Sequence, residues 1–344
     1  MILSFPFIAP AGISLSTGWH ARDVLRLRFI DLFSGCGGLS WGLVKRGWKP
    51  VVAIDSDPDA VETYNANFEG VALCADASDV DFRCMDVDAI VAGVPCQGFL
   101  PLSRRTRNRD NRNGLFRHIL RALVARPDFF VVENVPAFLD WWSGRMLIRQ
   151  SRKLGYKVEA RVLNAVDYGV PQHRKRAFIV GSLNDGIAWP DSNPLEERLT
   201  VKDAIGDLPR EISWTGMDLT NRSSEATLAR IKAIPPGGSR FDLPKALQLP
   251  CWRKHTSGSS DVLGRLRWDQ PSVAIRTEFI KPEKGRYVHP EANRALTLRE
   301  GARLQTFPDK FRFVGCMSSI ARQIGNAVPP VMSSKIAQVF ELGG

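Results

Sequence analysis

Cys96 stands directly after Pro95 in the stretch Gly93-Val94-Pro95-Cys96-Gln97-Gly98, at the end of the apolar run Ala89-Ile90-Val91-Ala92. A thiol at the mouth of a strand, outside the core, is placed to react. A second apolar run, Phe129-Phe130-Val131-Val132, leads into Glu133-Asn134-Val135, and Gln172-His173-Arg174-Lys175-Arg176 precedes a third, Ala177-Phe178-Ile179-Val180. A nucleophile, a carboxylate and two guanidiniums therefore sit at strand ends. The thiolate is the nucleophilic form of cysteine, and an unperturbed thiol of pKa about 8.5 is only partly ionised near neutrality. Arg174, Arg176 or a helix N-terminus after Cys96 would raise that fraction. The combination suits covalent chemistry on a planar, nitrogen-rich ring. The other cysteines (36, 74, 84, 251 and 316) are expected to be buried and structural.

A second constellation lies near the start of the chain. Phe33-Ser34-Gly35-Cys36-Gly37-Gly38 falls between an expected strand and an expected helix, where glycines let a ligand approach backbone amides closely. Asp55 follows Gly35 by 20 residues and ends the next strand, the place where an acid grips ribose hydroxyls. Asp76, ending a third strand, is placed for an adenine amino group. The spacing departs from the dinucleotide pattern G-x-G-x-x-G, because its last glycine would fall on Ser40. This favours a small adenosyl cofactor over a pyrophosphate.

The elements that must position these residues are legible as alternation. Strands are expected at 28–33, 51–55 and 71–76 and in the runs ending at 95 and 133. Helices are expected at 39–46, 59–67 and 115–125. Short apolar runs alternating with helices imply an α/β fold, a mostly parallel, doubly wound, Rossmann-like sheet. After residue 181 prolines and glycines become frequent and periodicity weak, as in Pro235-Pro236-Gly237-Gly238, until helices return at 297–305 and 333–342. The expected organisation is an extension at 1–27, a catalytic and cofactor-binding domain at 28–185 with 310–344, and a smaller irregular domain at 186–309.

Composition narrows the function. The chain has 344 residues, 44% hydrophobic and 24% charged, with a net charge of +11, a balance that favours a polyanionic partner. The charge is segregated. Residues 28–103 hold 5 basic and 11 acidic side chains, residues 104–126 eight arginines against Asp110, and residues 240–290 hold 10 basic and 5 acidic. Six cysteines without a CxxC pair argue against a disulfide framework or zinc site and fit a reducing cytoplasm. No apolar run approaches the ~20 residues that span a bilayer. Residues 1–10 are apolar but lack a basic n-region and contain two prolines, an irregular extension and not a signal peptide.

Six segments in order carry a resemblance. They are Asp31-Leu32-Phe33-Ser34-Gly35-Cys36-Gly37-Gly38, Pro95-Cys96-Gln97, Glu133-Asn134-Val135, Gln172-x-Arg174-x-Arg176, residues 294–309, and Gln323-Ile324-Gly325-Asn326-Ala327-Val328-Pro329-Pro330. Over residues 29–181 and 294–330 the chain resembles the cytosine-C5 DNA methyltransferases of prokaryotic restriction-modification systems. The resemblance implies that Cys96 attacks C6 of a cytosine extruded from the duplex. Glu133 would contact N3 and the exocyclic amine, and Arg176 with Arg174 would hold O2. It implies S-adenosyl-L-methionine as methyl donor, S-adenosyl-L-homocysteine as product and no metal. The cofactor site would comprise Phe33, Gly35, Cys36, Gly37, Gly38, Asp55, Ser56, Asp76, Ala77, Gly93, Pro95, Asn326 and Ala327.

Residues 97–114 match the family's mobile catalytic loop, although relatives often carry serine after Gly-Phe where this chain has Leu100 and Pro101. Arg104, Arg105, Arg107, Arg109 and Arg112 in that loop suit phosphates. Residues 186–309 would read the target, with Arg253, Lys254 and Arg276 as DNA contacts and His255, Arg265 and Arg267 as further candidates. The implied partners are double-stranded DNA, bound by a monomer, and a cognate restriction endonuclease for the same site. Two alternatives remain: a tRNA cytosine-C5 methyltransferase, disfavoured by the long variable region and arginine-rich loop, and a catalytically silent DNA-binding relative, disfavoured by intact Cys96, Glu133 and Arg176. An amino-methyltransferase would need an Asp/Asn-Pro-Pro-aromatic tetrapeptide, which the chain lacks.

Overall fold

The structure is a computed structural model and describes residues 27–341 except 84, 96–113, 185, 195, 197 and 255–260. Seven strands form one sheet: β1 Arg28–Leu32, β2 Lys49–Asp55, β3 Ala72–Cys74, β4 Ala89–Gly93, β5 Phe129–Asn134, β6 Lys157–Asn164 and β8 Lys175–Ser182. Their order is β3-β2-β1-β4-β5-β8-β6. Neighbours are parallel except at β8, which runs antiparallel to β5 and β6. A separate two-stranded pairing joins β7 (Gln172–His173) to β9 (Ser272–Val273).

Side chains alternate across the sheet, and both faces are covered. Phe29, Val91, Val131 and Val180 pack on Leu39 and Leu43 of α1 (Gly38–Lys45) and on Ile336 and Phe340 of α10 (Pro330–Glu341). Ile30, Ile90, Val132 and Ile179 pack on Ile119 of α3 (Phe116–Ala122) and Leu147 of α4 (Trp142–Lys153). Burial on both faces is why these strands read as unbroken apolar runs.

A third core joins the beginning of the chain to its second half. Tyr64 of α2 (Pro58–Asn65) and nearby Phe68 pack with Val201 of α5 (Val201–Ile205), Leu298 of α8 (Leu298–Leu304), Phe307, and Ile320 of α9 (Met317–Asn326). A fourth, smaller core of Ile231, Ile234, Leu243, Leu263 and Val288 is built around α6 (Glu225–Ala233), with Trp252 of α7 (Pro250–Lys254) against it.

Some expectations change. The third strand stops at Cys74. Asp76 lies beyond it and caps the 3-10 turn Ala77–Asp79, accepting from the Ser78 amide at 2.7 Å. Such a local side-chain bond offers the backbone an alternative to the ladder. The stretch with weak periodicity contains α5, α6 and α7, and α9 was not anticipated. Cys36 is buried as expected, whereas Cys74, Cys251 and Cys316 are exposed. Cys74 is on an edge strand, Cys251 on a short surface helix, and Cys316 at the N-cap of α9. Cys84 and the extension before residue 27 lie outside the described residues. Among the described residues no helix is long and apolar enough to cross a membrane.

Candidate active site

The turn between β1 and α1 is held open by backbone in the left-handed region: φ is 57° at Phe33, 52° at Gly35 and 90° at Gly37. Gly37 is required twice over, because a Cβ there would also lie 2.5 Å from Cε2 of Phe68. The Asp55 carboxylate accepts from the Gly35 amide at 2.8 Å and the Asp57 amide at 2.9 Å. The end of β2 is thus fastened to the turn. Burial pushes the Asp55 carboxyl above its usual range, against these amide bonds.

A cleft of about 360 Å³ opens over this turn, within the roughly 300–1,000 Å³ common for small-molecule sites. Phe33, Gly35, Cys36, Gly38, Asp55 and Ser56 line one side, Gly93 to Pro95 and Glu133 to Val135 another, and Gln323, Asn326 and Ala327 close it. The sheet register sets Gly93 beside Glu133. Asn134 donates to the Val94 carbonyl at 3.3 Å, tying the two strand ends together. The motif Glu-Asn-Val contained this asparagine, but its sequence position alone did not mark it as a brace.

Glu133 is 6% exposed and its Oε1 lies 2.9 Å from Nε of Arg176. Burial raises the Glu133 carboxyl, while Arg176 and then Arg174 oppose the rise. The two arginines differ. Arg174 is 1% exposed; its Nη1 donates to the Ile275 carbonyl at 2.8 Å, and its Nη2 to those of Gly325 and Ala327 at 2.9 and 3.0 Å. Arg174, expected to hold a base, lines the cleft and bonds through both terminal nitrogens to the backbone of two distant segments. The Ile275 and Gly325 carbonyls are met by Arg174 in a buried setting, where an unpaired acceptor is costly.

Asp76, Ala77 and Gly37 do not line the cleft. Among the residues that were not expected and do line it are Asp31, Ser34 and Gln323. Asp31 Oδ1, Ser34 Oγ and Gln323 Oε1 are buried and lack a hydrogen-bond partner. Burial pushes the Asp31 carboxyl up to about 7, with the Ser40 hydroxyl bond pulling the other way and Asp55 adding to the rise. Nothing in the sequence pattern could mark these orphaned atoms, because they are defined by what surrounds them.

The expected DNA contacts also separate. Arg253 is exposed, and so is Arg276, whose Nε donates to the Tyr287 hydroxyl at 2.8 Å and whose Nη2 donates to the Lys284 carbonyl at 2.8 Å. Arg267 pairs with Asp269 at 2.6 Å on the surface. Arg265 is 4% exposed, and its guanidinium bonds to Ile231, Ile234, His289, Ala292 and Asn293. It is a brace for the small core and not a DNA contact. Cys96, Arg104, Arg105, Arg107, Arg109, Arg112 and His255, and the side chain of Lys254, lie outside the described residues.

The model of the C-5 cytosine-specific DNA methylases matches residues 27–341. The chain belongs to that family. It is 35% identical over 333 residues to the type II methyltransferase M1.HphI of Haemophilus parahaemolyticus, spanning 91% of this chain and 86% of that one. It is 33% identical over 332 residues to the type II methylase M.HgiDII of Herpetosiphon aurantiacus, spanning 90% and 93%. The crystal structure of the S. pombe Dnmt2 methyltransferase shares the fold, with a TM-score of 0.63 at 21% identity over 92% of this chain and 99% of that one. This cytosine methylase is therefore an S-adenosylmethionine-dependent enzyme with a Rossmann-like sheet.

The methylase's own cleft suits that cofactor. Orphaned acceptors at Asp31 and Gln323 call for donors, which an α-ammonium and ribose hydroxyls provide. Gly35 leaves space on the cleft side, since a Cβ there would meet nothing within 4 Å.

Proposed function

We propose that this methylase modifies C5 of a cytosine within a specific site of double-stranded DNA, using Cys96 as the nucleophile. The observation that carries the reading is the Glu133–Arg176 pair, held at 2.9 Å on the wall of the cleft that the glycine turn opens into. Cys96 is bonded to Pro95, which lines the same cleft.

The cytosine must leave the duplex first, at a cost of a few kcal/mol. The Cys96 sulfur then forms a bond to C6, and the ring's aromaticity is lost. Glu133, whose carboxyl is biased towards its protonated form by burial, donates at N3 as negative charge builds there. Arg176 orients Glu133 through Nε and, with Nη1 donating to the Lys175 carbonyl at 2.8 Å, offers Nη2 to O2. Preorganised charge of this kind is the main source of rate in covalent catalysis on a carbonyl-like ring. S-adenosyl-L-methionine, held by Phe33, Gly35, Asp55 and Asn326, supplies an electrophilic methyl on a sulfonium sulfur. C5 takes that methyl as its bond to the sulfonium sulfur breaks, leaving a neutral thioether. Water then takes the C5 proton, the C5–C6 double bond re-forms as the Cys96 sulfur departs as thiolate, and the Glu133 carboxylate takes back the N3 proton. Residues 186–309 carry target recognition, with the exposed Arg253 and Arg276 near the DNA. The enzyme acts as a monomer, beside an endonuclease that cuts the same site.

Bisulfite sequencing of DNA from cells expressing the protein tests the activity and identifies the site; unmodified DNA throughout would refute it. Duplex containing 5-fluorocytosine at that site should give an SDS-stable adduct, because fluorine does not leave as a proton. Cys96→Ser should form none while still binding S-adenosyl-L-homocysteine. Glu133→Gln, which keeps the shape and cannot transfer a proton, should lose about 10²–10⁴-fold in kcat.

A further inference from the structure

We propose that Arg121 is a positioning residue for the adenine end of the cofactor cleft. The inference rests on the reading that Asp76 receives the adenine amino group of a cofactor that reaches past Asp55. Asp76 stands outside the lining of the cleft, but the amide of Ala75 before it donates to the carbonyl of the cleft-lining Asp55 at 3.0 Å. Asp76 is exposed and stands between a strand of three residues and a 3-10 turn of three residues. Its own bond, to the Ser78 amide at 2.7 Å, lies inside the turn and cannot fix the turn relative to the sheet.

Arg121 supplies that anchor from α3. Its Nη1 donates to the carbonyls of Ala77 and Ser78 at 3.3 and 3.1 Å, and its Nη2 to that of Val80 at 3.1 Å. Its guanidinium centre lies 6.0 Å from the ring centroid of Phe82, which is buried in the core beneath α3. Nη1 also lies 3.2 Å from Nδ1 of His118 on the same helix.

One planar fork thus grips three carbonyls of the segment that follows Asp76. Charge-assisted bonds of this kind are roughly twice as strong as neutral ones. A lysine would supply the charge without the fork. The ribose end of the cleft needs no equivalent, since Asp55 is already clamped by two amides. Arg121 therefore sets the orientation of Asp76 without touching the cofactor.

The experiment compares binding of S-adenosyl-L-homocysteine with that of S-inosyl-L-homocysteine, in which an oxygen replaces the adenine amino group, by calorimetry on the full chain. The wild type should prefer the adenosyl compound by at least about tenfold, the worth of one hydrogen bond to a charged group. Arg121→Met should shrink that preference to within about twofold, a change that a uniform loss of fold stability would not produce. Arg121→Lys should fall between the two. Asp76→Ala separates the premises. If it keeps the preference, the Asp76 reading fails. If it loses the preference while Arg121→Met or a folded Arg121→Lys keeps it in full, the role of Arg121 is overturned alone.

Discussion

Arg174, between β7 and β8, and Arg176, on β8, are two residues apart in sequence, yet their side chains serve different ends. Arg174 is enclosed and bonds to three carbonyls from segments 101 to 153 residues away. Arg176 keeps a partly open guanidinium beside Glu133. Arg174→Met should cost on the order of 3 kcal/mol, because the abandoned carbonyls stay buried. Urea unfolding would show it as a lower midpoint. Arg176→Met should leave stability within about 1 kcal/mol, since Glu133, already pushed upward by burial, can take a proton instead of standing buried as an anion. Its kcat should fall about 10²–10³-fold, the scale of a lost transition-state donor. Equal losses of stability in both variants would show that the division is wrong.

At the scale of elements, two glycines in one turn should give opposite phenotypes. Gly35→Ala meets no neighbour within 4 Å, so its cost is the left-handed backbone at φ 52°, about 1 kcal/mol. The added methyl faces the cleft, and S-adenosyl-L-homocysteine should bind less tightly. Gly37→Ala drives a Cβ to 2.5 Å from Phe68, and it should lower the unfolding midpoint more than Gly35→Ala does. The α8 cap makes a pH-dependent prediction. Thr297 and Glu300 form a capping box, Arg294 reaches Glu300 through two bonds of 2.8 Å, and His289 Nδ1 accepts from the Glu291 and Ala292 amides. Burial pushes His289 down to about 4; Glu300 and Glu291 pull it up, and Arg294 and Arg265 push it down. The folded form thus binds fewer protons than the unfolded form between pH 4 and the ordinary value of 6.5. The stabilisation is complete above 6.5 and is lost as pH falls towards 4, by up to about 3 kcal/mol. Asp31, raised to about 7, works in the opposite sense, its contribution fading as pH rises from 3.8 through 7. The comparison must therefore be made between variants. His289→Asn keeps an acceptor and removes the titration, so its unfolding free energy should drop less between pH 6.5 and 4.5 than that of the wild type.

Across the whole molecule the charge is split between an acidic cofactor half and basic segments at 104–126 and 240–290. S-adenosyl-L-homocysteine affinity should be nearly indifferent to salt, whereas DNA affinity should fall at least ~40-fold from 50 to 200 mM, the response of three phosphate contacts. Labelled methyl groups should appear on duplex DNA; label confined to tRNA would reject the DNA reading. Much of the sheet was legible because β1, β2, β4, β5 and β8 carry apolar runs, and the glycine turn, Asp55 and Glu133 fall at their ends. β6 is an edge strand with exposed Glu159, Ala160 and Arg161, so it left no such run. Burial was the illegible quantity. It made braces of Arg174 and Arg265, exposed three cysteines, and orphaned acceptors at Asp31 and Gln323, all through partners distant in the chain.

Gly325 packs so tightly that a Cβ on it would lie 2.4 Å from the backbone of Arg276 and Thr277, and Arg174 fastens the same two stretches from beneath. Specificity therefore should not travel as a cassette cut at 186 and 309. A chimaera joined there would import foreign partners for α2 and α9, whereas exchanging only the segment between Thr220 and Leu263 leaves that seam in its native hands.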